Sequence, residues 1–452
     1  MRSNKTRFVK SQWVILASIM GVYSLAIPAL TKGDLQDHHA IQAYSETFPS
    51  NPLREQKNLM LTVGQNEGDL QGRDDKIIQA GIEYLNRMGG GTLRILPGIY
   101  QLRNSIHLRP NITLCGSGEE TILKKSAGVA TPLKRESDWF EYGVQLNDPT
   151  GFFPGGGIIL RAQPKDGELN VLLATITKVE EDFVFLDRRT QKNFWVNENA
   201  NASTIFPILT AENVDHVIIK NLVLDGNKSQ NEYLNGNYTG AVFIQYCNDW
   251  NFNNVTAMNY NGDGYSFQVC DDIHFQDCQS IDNAGLGFHP GSGSQKPIFR
   301  NCVARGNSQG IFFCWGVSYG LVDACHILEN KNYGINIGHR DTDNIIQEST
   351  IERNGKVGIL FRKESSEFRS GNRNHIKHCK IRDNGDGEQG IGIDIQSKTR
   401  DITISNTKLE NTTSAVQIIG IRISEEAQEI SLQNNIILNC PSDIMDMRDT
   451  KR

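Results

Sequence analysis

The sequence is short of proline, with 13 residues in 452, and aromatic residues make up only 8% of it. Hydrophobic residues reach 38%, and after the run from Trp13 to Leu30 no other stretch is apolar for long enough to span a bilayer. There is no basic excess either. The net charge is −6, which argues against a nucleic-acid partner and leaves any acidic substrate to be held by local basic groups. Nine cysteines are too few and too oddly counted for a disulfide framework in a chain this long, and their spacing follows a repeat, so most are expected in the core. What is plentiful is glycine, at 42 residues, which suits many short strands and turns better than helices.

The N-terminus is basic at Arg2, Lys5, Arg7 and Lys10, and the apolar run follows, broken by Pro28, with Ser24 and Ala26 as small residues for a cleavage site. Residues 1–30 therefore read as a signal peptide or, uncleaved, as a signal anchor. The expectation is an exported protein, periplasmic, cell-surface or extracellular, with a membrane partner only if the segment is retained.

The fold is read from a repeat. Segments beginning at Phe252, Phe275, Phe299, Val322, Gln347, Ile376 and Ile404 each carry a short alternating strand, an Asn turn, a Gly and another alternating strand. The asparagines 259, 283, 307, 330, 354, 384 and 411 lie 24, 24, 23, 24, 30 and 27 residues apart. Five residues before four of them stand Cys278, Cys302, Cys325 and Cys379. A stack of coils explains both series: Asn tolerates left-handed turns and its amide can bond to the same amide one coil away, while Cys packs inward as a small apolar ladder. Three short strands and their turns per 24 residues predict an all-β parallel β-helix.

Asp74 to Met88 is periodic for an amphipathic helix, with Ile78, Ile82 and Leu85 on one face, and it is the expected cap of the solenoid. The expected organisation is an irregular leader at 31–65, cap and first coils at 66–135, and a small inserted β-domain at 136–206, where hairpin strands interrupt the repeat. The main β-helix follows at 207–440 and a frayed tail at 441–452.

The helix followed by GGGTLRILPGIYQLRNSIHL, the LDGN turn and the Asn-ladder coils resemble the pectate-lyase-like superfamily of right-handed parallel β-helix proteins. The resemblance spans roughly residues 66–130 and 208–440 and implies a right-handed, single-stranded β-helix. The superfamily includes polysaccharide lyases, glycoside hydrolases, uronan epimerases and proteins of no known activity. NGDG at 261–264 and Asp271-Asp272 lack the Gly-His-Gly and Arg-x-Lys of polygalacturonase-type hydrolases, and GFHP at 287–290 lacks the Asp-Pro-His order of uronan epimerases. No catalytic residue carries over.

Position within the coil supplies candidates instead. Counting from a Gly opening each strand, the first and third residues point inward: Tyr265 and Phe267, Leu286 and Phe288, Ile311 and Phe313, and so on. The fourth points outward: Gln268, His289, Cys314, Gly338, Arg362 and Gln396. Trp315, His339, Arg340, Asp341, Lys363 and Glu364 follow directly, and Asp394, the second residue of its strand, points outward as well. Coils about 4.8 Å apart gather these on one face as a groove.

A polysaccharide, in particular an acidic one, is the partner such a groove suits. Trp315, Gln268, Asp394 and Gln396 are read as substrate-binding. His289, His339, Arg340, Asp341, Arg362, Lys363 and Glu364 are read as catalytic. For elimination or epimerisation at a uronic acid, Arg340 or Arg362 would neutralise the carboxylate, and His339, His289 or Lys363 would take the neighbouring proton. For glycoside hydrolysis, Asp341, Glu364 and Asp394 could pair. The third reading is a non-catalytic glycan-binding or surface structural protein. Cys314 is expected to pack. No cofactor is specified; calcium could use Asp271-Asp272 or the Asp341-Thr342-Asp343 loop.

Overall fold

Residues 59–412 and 416–448 are described in a computed structural model of the chain. The signal segment, most of the leader and the last four residues lie outside the described residues.

Short alternating segments such as Asp263–Gln268, Asp271–Gln276 and Gln279–Ile281 form the three strands of one coil. Each pairs in parallel with its counterpart one coil on: Tyr265 opposite Phe288, Phe275 opposite Phe299, Ser280 opposite Ala304. The result is a right-handed parallel β-helix. One face is a front sheet of eleven strands, running from Ile106–His107 to Ser442–Asp446. The remaining parallel strands close the other two sides of the coil.

The core is filled in columns. Phe252, Phe275 and Phe299 stack with centroids 4.8 and 5.2 Å apart, and Tyr265 stacks on Phe288 at 4.9 Å. Cys278, Cys302, Cys325 and Cys379 are buried, and Ser349 and Thr407 occupy the same place in the coils between and after them. Asn283, Asn307, Asn330, Asn354 and Asn384 form the amide ladder. Each donates from Nδ2 to the Oδ1 of the next at 3.0, 3.3, 2.9 and 2.9 Å, and Asn384 donates to the Oε1 of Gln417 at 3.2 Å.

The structure corrects the reason for that ladder. Left-handed backbone falls on the preceding residue, at Asp282, Glu329, Arg353 and Asp383, and not on the ladder asparagines. Asn259 belongs to this left-handed series, with φ 51°, so Tyr260 stands at the ladder position and takes the amide bond from its backbone N–H to Asn283. A second ladder, Asn344 donating to Asn374 at 3.0 Å, lies at another corner.

The cap forms as expected. Asp75–Arg87 is helical, Asp74 accepts from the N–H of Lys76 at 3.2 Å, and Ile78, Ile82 and Leu85 are buried over the first coil. Three boundaries shift. Met60–Gly64, in the expected leader, is a strand paired with Gly91–Ile95. The insertion is a six-stranded antiparallel sheet that begins earlier, at Ala130–Pro132, and ends at Asn201–Ser203, with its own core around Leu146, Ile158 and Phe194. Ser442–Asp446, in the expected tail, completes the front sheet against Gln417–Ile423. In each case strand pairing reaches residues whose own composition is weakly patterned.

Candidate functional site

The outward face of the front sheet has two rows of side chains, and their register is set by a column of glycines. Gly264, Gly287, Gly310, Gly334, Gly358 and Gly392 repeat one per coil, and a Cβ at any of them would stand 2.2–2.6 Å from a neighbouring atom, for most the next glycine's carbonyl oxygen. This places the opening glycine of the GLGFHP strand at 287 rather than 285. Leu286 therefore faces outward and is half-buried, and His289 moves to the row of Ser266 and Phe312. The row that starts at Gln268 continues through Gly291, Cys314, Gly338, Arg362 and Gln396.

Several candidates are locked into the scaffold. Asp341 is fully buried and accepts from the backbone N–H groups of Gly316, Val317 and Gly338 at 3.0, 3.0 and 2.8 Å. Burial raises its carboxyl above the ordinary value, opposed by Arg362 and these donors. Arg362 donates to Asp341 at 3.1 Å, to the Phe313 carbonyl and to Asn336, and lies over the Phe312 ring at 4.4 Å. It crosses Gly338, where a Cβ would stand 2.4 Å from its Nε. A carboxylate so bonded holds a turn, and a guanidinium so bonded has no free fork for substrate, so neither has the catalytic place read for it.

Asp394 is buried and bidentate with Arg422 at 2.8 and 2.6 Å, and it accepts from Gln396 at 2.6 Å. Gln268 is buried beneath Gly291 and donates to Ser266 at 3.2 Å. His289 is buried against Asp263 at 2.7 Å. These side chains are not placed to meet a sugar in the groove. Asp341, Glu364 and Asp394 each have a basic partner of their own: Arg362, His339 and Arg422.

The others gather at the front edge. Trp315, 57% exposed, lies over the His339 ring with centroids 4.6 Å apart and planes 24° from parallel. Nδ1 of His339 faces Glu364 Oε2 at 3.4 Å. Arg340 follows at a left-handed backbone position, φ 60°, which turns it outward. Its guanidinium stands 5.9 Å from the Phe368 ring, and among the described residues no carboxylate pairs with it.

Arg340 borders a cleft of about 740 Å³ lined also by Arg373, Arg400, Phe368 and Asn372. Arg373 is bidentate with Asp343, and Arg400 is paired with Glu367 and Asp401. With Asp341 and Asp343 both engaged, that loop offers calcium no free pair of carboxylates. Lys363 is exposed beside a second hollow of about 370 Å³ with Gln396 and Arg422.

Sequence reading missed Phe368, Arg373 and Arg400, because they lie in a short 3-10 helix, at a bend and at the very start of a strand, one and two coils beyond the GHRD segment, where strand periodicity gives no signal. Asp263 was visible within NGDG but carried no partner until the register of His289 was known.

The family described as right handed beta helix region matches residues 240–386 and 314–450. No curated protein matches the chain in sequence. Among solved structures, the A-module of the mannuronan C-5 epimerase AlgE4 of Azotobacter vinelandii aligns with a TM-score of 0.55 and 16% identity, over 84% of this chain and 97% of that one. The corresponding AlgE6 module aligns at 0.53 and 16%, over 82% and 91%. The surface adhesin PfbA of Streptococcus pneumoniae aligns at 0.53 and 12%, over 85% and 93%. At these identities the likeness is one of fold.

Proposed function

We propose that this chain, a right-handed parallel β-helix of the pectate-lyase-like superfamily in its fold, is an exported protein that binds an acidic polysaccharide at the Trp315–Arg340 edge of its front sheet. There it removes the proton beside a uronate carboxylate, as a lyase or an epimerase does. The observation that carries this reading is the adjacency of a stacked Trp315–His339 pair, oriented by Glu364, to an exposed Arg340 with which no carboxylate pairs among the described residues.

Each part has a task. The free face of Trp315 suits the C–H side of a pyranose. The Arg340 guanidinium can take a uronate carboxylate in two parallel hydrogen bonds and so favour the negative charge that develops when the neighbouring proton leaves. Glu364 at Nδ1 of His339 holds the proton on that nitrogen and leaves Nε2 as the base. Elimination and epimerisation share this step and part afterwards, according to whether the leaving oxygen departs or the proton returns to the other face. The fold is shared with a protein named as a mannuronan C-5 epimerase and with an adhesin, which is compatible with chemistry or with binding alone.

The test is a panel of acidic and neutral polysaccharides, followed by ultraviolet absorbance of unsaturated product, by reducing ends and by binding. Absorbance and reducing ends rising together on a polyuronate identify a lyase. Binding of the polyuronate with inverted sugar residues and no new ends identifies an epimerase. Reducing ends without absorbance, or preference for a neutral polymer, would overturn the proposal.

A further inference from the structure

We infer that the inserted β-domain carries a second binding site, for a neutral glycan, on the turn 138–142. Three of these five residues are aromatic and exposed: Trp139 at 62%, Phe140 at 48% and Tyr142 at 53%. Single exposed rings are ordinary on a protein surface, but three within four positions make a patch. None of them belongs to the insertion's own core, to which the flanking segments give Leu133, Val144, Leu146 and Phe194.

The turn is held in place by hydrogen bonds to the segment that faces it. Ser137 and Phe194 exchange backbone bonds at 3.1 and 2.8 Å and anchor its entry. The N–H of Gln191 donates to the Trp139 carbonyl at 2.9 Å, that of Thr190 to Glu141 at 3.0 Å and that of Leu186 to Tyr142 at 2.7 Å. The Trp139 N–H donates to Asn193 Oδ1 at 3.0 Å. Arg189 crosses the exit. Its Nη1 donates to the Phe140 carbonyl at 3.3 Å, its Nε donates to the Tyr142 hydroxyl at 3.2 Å, and its guanidinium lies 4.7 Å from the centre of the Tyr142 ring. The Trp139 and Phe140 rings stand edge to face, with centroids 6.0 Å apart and planes at 86°. Rings on so fixed a backbone lose little freedom when a ligand covers them.

Size and charge choose the ligand. At about 200 Å² per aromatic side chain, the exposed part of the three rings comes to about 330 Å². That is well short of the roughly 800 Å² per partner of a stable protein interface, and it suits a ligand of a few sugar rings. Asp138 is exposed and among the described residues no cation pairs with it, just as no carboxylate pairs with Arg189. The exposed Glu136 and Lys192 on the flanking segments add one more charge of each sign. Equal numbers of both signs give a polyanion or an anionic bilayer no net attraction. Hydroxyl groups, in contrast, donate to a carboxylate and accept from a guanidinium, and a pyranose offers its apolar C–H face to the rings. The site shares no residue with the Trp315–Arg340 edge and takes a neutral sugar where that edge takes a uronate, so it stands or falls separately from the proposed function.

The experiment is affinity electrophoresis of the full chain in native gels containing dextran, soluble starch, galactomannan or hydroxyethyl cellulose, with flotation on anionic phospholipid vesicles and sedimentation alongside. Retardation by at least one neutral polymer is expected, with its dissociation constant raised about tenfold by Trp139→Ala and by Phe140→Ala. Both side chains are exposed, so neither variant disturbs the core. A polyuronate gel reports on the Trp315–Arg340 edge alone and should read the same for the wild type and both variants. Absence of retardation by all four neutral polymers, retardation that survives in Trp139→Ala, or its loss in Trp315→Ala instead would overturn the inference. So would Trp139-dependent binding to the vesicles, or a dimer that Trp139→Ala dissociates.

Discussion

Lys125 is the most testable anomaly of the core. Its side chain is fully buried and its ammonium has no hydrogen-bond partner; it stands 5.0 Å from the Phe206 ring and 5.6 Å from the Tyr260 ring. Desolvation lowers it from 10.5 to about 7. A fall of about 3.5 pH units corresponds to about 5 kcal/mol against the charged form, and to about 4 kcal/mol at pH 7, where half the protons are already lost. The two rings return about 1–2 kcal/mol. Lys125→Met keeps the volume and removes the charge, so it should stabilise the fold by about 2–3 kcal/mol at pH 7.

The sign fixes the pH profile. The folded pKa is depressed, so the penalty is complete below about 7 and disappears as pH rises toward 10.5. His289 acts oppositely: its folded value is raised, so its stabilisation is full below 6.5 and lost as pH rises through about 9. The wild-type profile mixes the two, but the difference between wild type and Lys125→Met isolates the lysine. Urea unfolding from pH 6 to pH 10 should show the advantage of the variant shrinking to under about 1 kcal/mol at the alkaline end. A variant less stable than wild type at pH 7, or a difference independent of pH, would refute the reasoning.

Replacing Asn330 by Ala removes amide bonds to Ala304 and Asn354 and those received from Asn307, and should cost about 2–4 kcal/mol in urea unfolding. Arg362→Met leaves Asp341 as a buried carboxylate without its cation and should cost about 3–5 kcal/mol by the same measurement, whereas Arg340→Met should leave stability within about 0.5 kcal/mol. Trp315→Ala should leave the fold intact and weaken polyuronate binding about tenfold by calorimetry.

The fold was readable because its two strongest signals are periodic and local. A 24-residue recurrence of Asn and Cys and the alternation of strand residues report the coil directly, and the cap announces itself through Asp74 and the Ile78–Ile82–Leu85 stripe. The register was less readable. GLG at 285–287 offers two glycines, and only the close approach of backbone atoms at Gly287 distinguishes them. That single choice moved His289 from the open groove to a buried pair with Asp263.

Charge along the outward row was the weaker guide to a site. Asp341, Arg362 and Asp394 are titratable and outward, yet they bond across coils to Gly316, Asn336 and Arg422, partners 25, 26 and 28 residues away. Such separations match the repeat but are not visible as pairs without the coil register. His339, Arg340 and Trp315 kept their place because they stand at the strand ends, where the turn carries them to the surface.

The central claim is proton abstraction by His339 beside Arg340. Its most direct measurement is proton magnetic resonance of a polyuronate incubated in deuterated water with the wild-type protein and with His339→Gln. The account predicts that the proton beside the carboxylate is lost in the wild-type reaction, replaced by deuterium or by the signal of an unsaturated sugar, and retained with the variant. A polyuronate that binds the wild-type protein and keeps that proton unchanged would contradict it.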